Sequence, residues 1–308
     1  MSLNILTLVF ILSIVFHYTV QKIFIYFKKF DNFNKRSSHN SLATRTGGIG
    51  TFLTVLLFSI YYYLNKEVVF DYSILIPLGV MFIVGFYDDI YDADFKLKFL
   101  LQILVAKIII DQGYVISNYH GLFGLFEVSR ILAQLSTVFV FLVIVNSINF
   151  IDGIDGLAIS EVIKILVIIE LFSQQISPFF NLSLILISCL LPLYYFNNRK
   201  KRKVFLGDSG SLFLGTLVSI YIFYVLGDEY KLNISVNKVV FTVLLLIYPL
   251  FDLLRIFIIR IKNKKSPFHP DQNHLHHILH KKRFKPIINT LIIQSISILM
   301  FFIGINSI

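Results

Sequence analysis

Residues 146–160 read NSINFIDGIDGLAIS and place two amides, Asn146 and Asn149, and two carboxylates, Asp152 and Asp155, at three-residue intervals. Oxygen donors at that spacing suit a hard cation or a polyol. Gly153 and Gly156, set among them, let a backbone approach a ligand closely. A loop of Asx turns would account for a single Asp-Gly pair. It does not account for the whole set, which sits between the apolar runs 131–145 and 157–172, where polar groups at membrane depth are expensive.

Three further stretches carry chemistry. Asp88 and Asp89 end an apolar run, and paired carboxylates at a helix C-terminus are unfavourable unless a cation compensates them. The pair therefore suits a metal site or a general base. Downstream, Asp94 reads as an N-cap for the next helix. Lys96 reads either as a phosphate contact or as an interfacial side chain that snorkels. In 205–211, FLGDSGS, a Gly-flanked turn opens a helix. Asp208 or Ser209 could simply cap it, or the turn could form an anion site in which Asp208 holds Mg²⁺ bound to a diphosphate. The stretch 268–280, FHPDQNHLHHILH, holds His269, His274, His276, His277 and His280. Zinc is one reading, but no Cys partner or HExxH arrangement accompanies them. Phosphate contact or proton transfer suits these imidazoles better. His39 and His120 read as structural, and Gly47-Gly48 as a point of close helix packing.

The elements that must position these groups are membrane helices. The chain has 308 residues, 56% hydrophobic and only 15% charged, with a mean hydropathy of +0.77. Soluble domains carry roughly a quarter charged residues, so the expectation is an all-α polytopic transmembrane bundle forming one integral domain over 1–308. The net charge of +10 would point to nucleic acid in a soluble protein. Here it points to loop asymmetry instead, and no nucleic-acid partner is expected. The lone Cys189 lies in an apolar run and reads as a buried, inert thiol. The segment 1–27 reads as a retained first span rather than a cleaved signal.

A span needs ~20 apolar residues. Candidates are 3–26, 48–64, 70–87, 97–112, 131–148, 157–173, 178–196, 211–227, 237–261 and 287–306, about ten helices on that criterion. Lys and Arg concentrate in the loops after the first, seventh and ninth candidates, as in Arg199–Lys203. This makes those loops cytoplasmic and both termini external. The polar motifs fall on the same face, which argues for one shared site there. Residues 117–128 read as a short external hairpin.

In their order and spacing, RTGG, DDIYDADFKLK, NSINFIDGIDGLA, FLGDSGSL and PDQNHLHH resemble the polyprenyl-phosphate N-acetylhexosamine-1-phosphate transferase family. This is the glycosyltransferase family 4 group that includes phospho-N-acetylmuramoyl-pentapeptide transferase and the bacterial undecaprenyl-phosphate GlcNAc-1-phosphate transferases. The resemblance covers most of the chain. It implies a bundle with a cytoplasmic active-site cleft in the bacterial inner membrane and a requirement for Mg²⁺ or Mn²⁺. The implied reaction moves a sugar 1-phosphate from a UDP-N-acetylhexosamine to a polyprenyl phosphate, releases UMP and starts a lipid-linked envelope glycan.

Residue by residue, the resemblance makes Asp208 the main metal carboxylate and Asn149 a second metal ligand. Asp88 becomes the candidate base, supported by Asp89. Asn146, Asp152 and Asp155 line the nucleotide pocket, with Phe205 against uracil. Lys96, His274, His276 and His277 neutralise the diphosphate. NHLHH departs from the three adjacent histidines of the muramoyl-pentapeptide branch, which points to a simple UDP-HexNAc donor without choosing the sugar. Homodimerisation is left open. Two other classes compete: an intramembrane prenyltransferase using DDIYD as a DDxxD site, and a transporter coupling ions through the carboxylates.

Overall fold

The computed structural model describes residues 2–29, 43–264 and 285–307. Its helices are α1 (Leu3–Tyr26), α2 (Gly47–Leu64), α3 (Leu75–Tyr91), α4 (Phe95–Asp111), α5 (Arg130–Ile151), α6 (Leu157–Leu171), α7 (Phe180–Asn198), α8 (Gly207–Leu226), α9 (Lys238–Leu245), α10 (Ile247–Lys262) and α11 (Pro286–Asn306). Two small sheets accompany them. β1 (Ala43–Arg45) pairs in parallel with β4 (Lys203–Phe205), and β2 (Asn118–Leu122) pairs antiparallel with β3 (Leu125–Glu127). The second pair is the expected hairpin.

Burial on α1 is the reverse of that in a soluble helix. Its inward face includes Ser13, His17 and Gln21, while Leu3, Leu8, Ile11, Val15 and Ile23 are exposed. Such a helix is stable only where its surroundings are apolar, because lipid solvates the leucines while the bundle must satisfy the polar groups. Ser13 Oγ accordingly donates to the Cys189 carbonyl at 3.0 Å. Cys189 itself is buried, as expected.

Among the described residues, seven helices are long and apolar enough to cross a membrane, or eight if α9 and α10 are one broken span. All ten expected segments are helical, but not all qualify as spans. The 237–261 segment is not one rod: α9 and α10 meet at a 72° bend. Pro249, in the first turn of α10, lacks the N–H that a continuous helix would need there. α4 and α6 have only 17 and 15 residues and carry charge, including Lys98, Lys107, Glu161 and Lys164. At 1.5 Å per residue they reach about 22–26 Å, short of the ~30 Å hydrocarbon core.

α8 is the axis of the bundle. Nearly all of its side chains are buried, and it packs mainly on α3 and α5. Contacts without side chains bring the backbones together, since a Cβ on Gly48 would lie 2.2 Å from Gly210 N. This is the close packing expected of the Gly47-Gly48 pair. β1 and β4 tie the entry of α2 to the entry of α8. Gln21 fastens this sheet to α1, with Nε2 donating to the Arg202 and Lys203 carbonyls at 2.8 and 2.9 Å.

Candidate active site

The C-terminus of α3, the start of α4, the C-terminus of α5 and the N-terminus of α8 converge at one end of the bundle. Asp89 makes the join that no local pattern announces. Its Oδ1 accepts from Asp208 N at 3.0 Å and its Oδ2 from Ser209 N at 2.9 Å. The first turn of a helix leaves its N–H groups without intrahelical partners. Here a carboxylate from another helix, favoured by the helix dipole, satisfies two of them. Of the two readings of this turn, local capping by Asp208 or Ser209 is not seen: the cap comes from 119 residues away. Gly207 makes room for it: its φ is +73°, and a Cβ there would lie 2.7 Å from Asp89 Oδ2. Arg45 lies 4.0 Å from Asp89 Oδ1.

Asp88 faces the neighbouring gap. Ala93 N donates to its Oδ1 at 2.7 Å, and Lys98 Nζ lies 2.6 Å from its Oδ2. The same ammonium lies 3.5 Å from Asp208 Oδ2, so one cation bridges two carboxylates. Asn149 Nδ2 donates to Asp208 Oδ1 at 3.0 Å and to Ser211 Oγ at 2.8 Å. Asp208 is therefore fixed from both sides while its side chain stays about one-third exposed, at 32%.

Lys96, the lysine expected at the phosphates, is exposed. α4 begins at Phe95 with Asp94 at its N-cap position, although the Asp94 side chain makes no capping bond. Two residues along a helix turn about 200°, so Lys98 enters the carboxylate gap while Lys96 faces outward. Asn146 sits about one turn deeper on α5, where its Nδ2 donates to Gln102 Oε1 at 2.9 Å and to the Leu142 carbonyl at 2.7 Å. It braces α5 against α4. Asp155 forms an ion pair with Lys203. Phe205 stands opposite Arg45 in the β1–β4 register. His274, His276 and His277 lie outside the described residues, as does His39. His120, on the hairpin, lies with Nε2 2.8 Å from the Leu226 carbonyl, in keeping with a structural role.

Asp152 caps the C-terminus of α5. Burial, then the charges of Asp208, Asp89 and Asp155, push its carboxyl well above the ordinary carboxylate range, with Arg45 opposing. The folded protein then holds a proton that the unfolded chain releases near pH 4. Stability falls as pH rises from there through the raised folded value. Asp152→Asn is expected to flatten this fall and raise the thermal midpoint at neutral pH in chelator-treated protein. A parent-like slope in a pH series of melting curves would refute it.

The donors fit a divalent ion in kind. Asp88, Asp208 and Asn149 offer hard oxygens and no sulfur, and Mg²⁺ commonly takes only one or two carboxylates together with water and phosphate. Among the described residues no three His, Cys, Asp or Glu side chains group to cage a metal by themselves. In the present rotamer Asn149 turns its NH₂, not its oxygen, towards Asp208. It would hold the carboxylate in place unless the amide rotates.

The sequence that builds this carboxylate–lysine end matches a known group. The sequence profile of glycosyl transferase family 4 matches residues 71–226. That range holds DDIYD, NSINF and FLGDSGS, whereas RTGG and the His-rich stretch lie outside it. A Haemophilus influenzae undecaprenyl-phosphate alpha-N-acetylglucosaminyl 1-phosphate transferase is 32% identical over 260 residues, covering 81% of this chain and 71% of the relative. The Thermotoga maritima protein of the same name is 29% identical over 279 residues, covering 90% and 81%. A Bacillus subtilis protein named "probable undecaprenyl-phosphate N-acetylglucosaminyl 1-phosphate transferase" is 29% identical over 263 residues, covering 84% and 72%. The chain belongs to glycosyl transferase family 4. It is a multi-pass membrane transferase, and neither the prenyltransferase reading of DDIYD nor the transporter reading of the carboxylates is favoured.

Proposed function

We propose that the chain transfers GlcNAc 1-phosphate from UDP-GlcNAc to undecaprenyl phosphate, releasing UMP, at the cytoplasmic face of the bacterial plasma membrane. The observation that carries this reading is the junction of Asp88, Lys98, Asn149 and Asp208 from four helices. It sets carboxylates and a cation together where two phosphate-bearing substrates would have to meet. The names of the relatives support the donor sugar and the lipid acceptor.

A ten-span arrangement is part of the proposal. α3 and α5 both end at the carboxylate junction and α4 starts there, so α4 has to carry the chain to the far end. α6 leaves the Asp155 loop and has to do the same before α7 returns. Orientation rests on charge. Arg45, Arg199, Lys200, Lys201, Arg202, Lys203, Lys262 and Lys264 lie towards the junction end, against the sparser Lys66, Arg130, Lys231 and Lys238 at the opposite connections. This is the positive-inside pattern.

In the proposed reaction an oxygen of the lipid phosphate attacks the β-phosphorus of the UDP-sugar, the bond from that phosphorus to the bridging oxygen breaks, and UMP departs with that oxygen. Asp208, with Asn149, would hold Mg²⁺. The ion supplies charge neutralisation to the diphosphate. Lys98, held between Asp88 and Asp208, presents an ammonium where negative charge accumulates, a preorganised electrostatic contribution. Asp88 is the group assigned to take the proton of a monoprotonated lipid phosphate. Asp89 keeps the α8 turn, and hence Asp208, in place. Asp152, Asp155 and Phe205 face the nucleotide side, and Lys96, His274, His276 and His277 are assigned to the phosphates by resemblance.

The test is UMP release by purified protein given UDP-GlcNAc, undecaprenyl phosphate and Mg²⁺. Release that requires the lipid is the expected result. No release, or release equal with and without the lipid, would overturn the reading.

A further inference from the structure

The Asp155 loop is held by a helix that lies beyond the stretch matching the family profile. On α11, Thr290, Gln294 and Ser297 are spaced four and three residues apart and so share one helix face. Each engages the segment that begins with the loop. Thr290 Oγ1 donates to the Asp155 carbonyl at 2.9 Å. Gln294 Nε2 donates to Glu161 Oε2 at 3.0 Å. Lys164 Nζ donates to Ser297 Oγ at 2.8 Å and to Glu161 Oε1 at 2.6 Å. Glu161, Lys164, Thr290, Gln294 and Ser297 are all buried.

This ladder leaves little freedom. Turning or sliding α6 along α11 would break a bond to a buried charge, and at membrane depth no water replaces it. The loop end of the ladder is divided between three elements. The Asp155 carboxylate pairs with Lys203, the first residue of β4, while its carbonyl goes to Thr290. The following N–H, on Gly156, donates to Asn197 Oδ1 on α7. Only the Thr290 bond can be removed without touching a charge or the αL turn at Gly156.

We propose that α11 is a positioning element of the donor pocket. Thr290 is a positioning residue that fixes the Asp155 loop and thereby sets the affinity for the UDP-sugar. This rests on the reading of Asp152 and Asp155 as the nucleotide side of the site. Thr290 acts through the backbone of Asp155 and takes no part in the phosphoryl step, so its removal should appear in donor binding and not in the chemistry.

Thr290→Val keeps the side-chain volume and deletes the donor. It is expected to raise the KM for UDP-GlcNAc about fivefold to tenfold, the scale of one lost buried hydrogen bond. The kcat and the KM for undecaprenyl phosphate should stay within about twofold, and Thr290→Ser should restore the parent values. An unchanged donor KM in Thr290→Val, or a fall in kcat with unchanged KM, would overturn the proposal. So would a loss that Thr290→Ser fails to restore. If the valine variant does not fold, Thr290→Ala is measured in its place with the same expectations. Equilibrium binding of UDP-GlcNAc separates this proposal from the assigned reaction. Weaker UDP-GlcNAc binding by the variant than by the parent, with no UMP released by the parent, would uphold the positioning role and overturn the reaction. Equal binding with normal turnover would do the reverse.

Discussion

Asp208→Asn is expected to reduce turnover by roughly 10²–10³-fold, the scale seen when a key electrostatic group is deleted from a reaction centre, while the bundle still folds. Asp208 is flanked by Asp88 across the Lys98 ammonium, and its backbone is held by Asp89. Its negative charge also bears on Asp152. Asparagine keeps the shape and can still accept from Asn149, but it removes one charge from a group of like charges. Repulsion drops, but the attraction to the Lys98 ammonium is lost with it, and so is most of the ability to hold a divalent ion. Parallel measurement of UMP release and thermal midpoint reads both quantities. Preserved activity would refute the assigned metal role, and lost activity with a collapsed midpoint would make Asp208 a folding residue instead.

Gly85→Ala should damage activity and stability together. A Cβ at Gly85 would lie 2.2 Å from Asp208 O, 2.4 Å from Asp208 C and 2.5 Å from Ser209 N. All three are backbone atoms, so no side chain can rotate away. The α8 turn is held by Asp89 and cannot yield without giving up its cap. Overpacking of this kind costs about 1–3 kcal/mol and occasionally more. Any relief would displace Asp208 from Asn149 and Lys98. Gly79 on the same helix is the control, since its Cβ would meet only Phe52 Cζ at 3.7 Å. Gly79→Ala should therefore behave like the parent in melting curves and in turnover. Equal behaviour of the two alanine variants would show that the α3–α8 contact does not govern the site.

Much of this was legible in the sequence because membrane helices and clustered carboxylates announce themselves. The segments, the hairpin, the tight Gly47-Gly48 contact and the gathering of 88–89, 149 and 208 are found where the residues imply. What was not legible depends on distance or on register. Nothing local in Asp89 signals that it caps a helix 119 residues later. Choosing Lys98 over Lys96 requires knowing that α4 starts at Phe95, a matter of one or two residues. A three-residue parallel pairing such as β1–β4 has no periodicity to detect. The Glu161–Lys164 pair reads as an oddity inside an apolar run until Gln294 and Ser297 are brought beside it. Pro249 signals the bend at Leu246, but the surrounding residues are apolar enough for one unbroken span.

The parallel pairing of Ala43–Arg45 with Lys203–Phe205 also constrains assembly on the ribosome. The earlier strand cannot find its partner until roughly 160 more residues are made, on the order of ten to thirty seconds at usual elongation rates. During that interval the first two helices enter the bilayer with residues 43–45 unpaired, and the reaction centre does not yet exist. Translation pauses placed before α8 should lengthen the period in which a protease can cut at 43–45, whereas pauses placed after it should not.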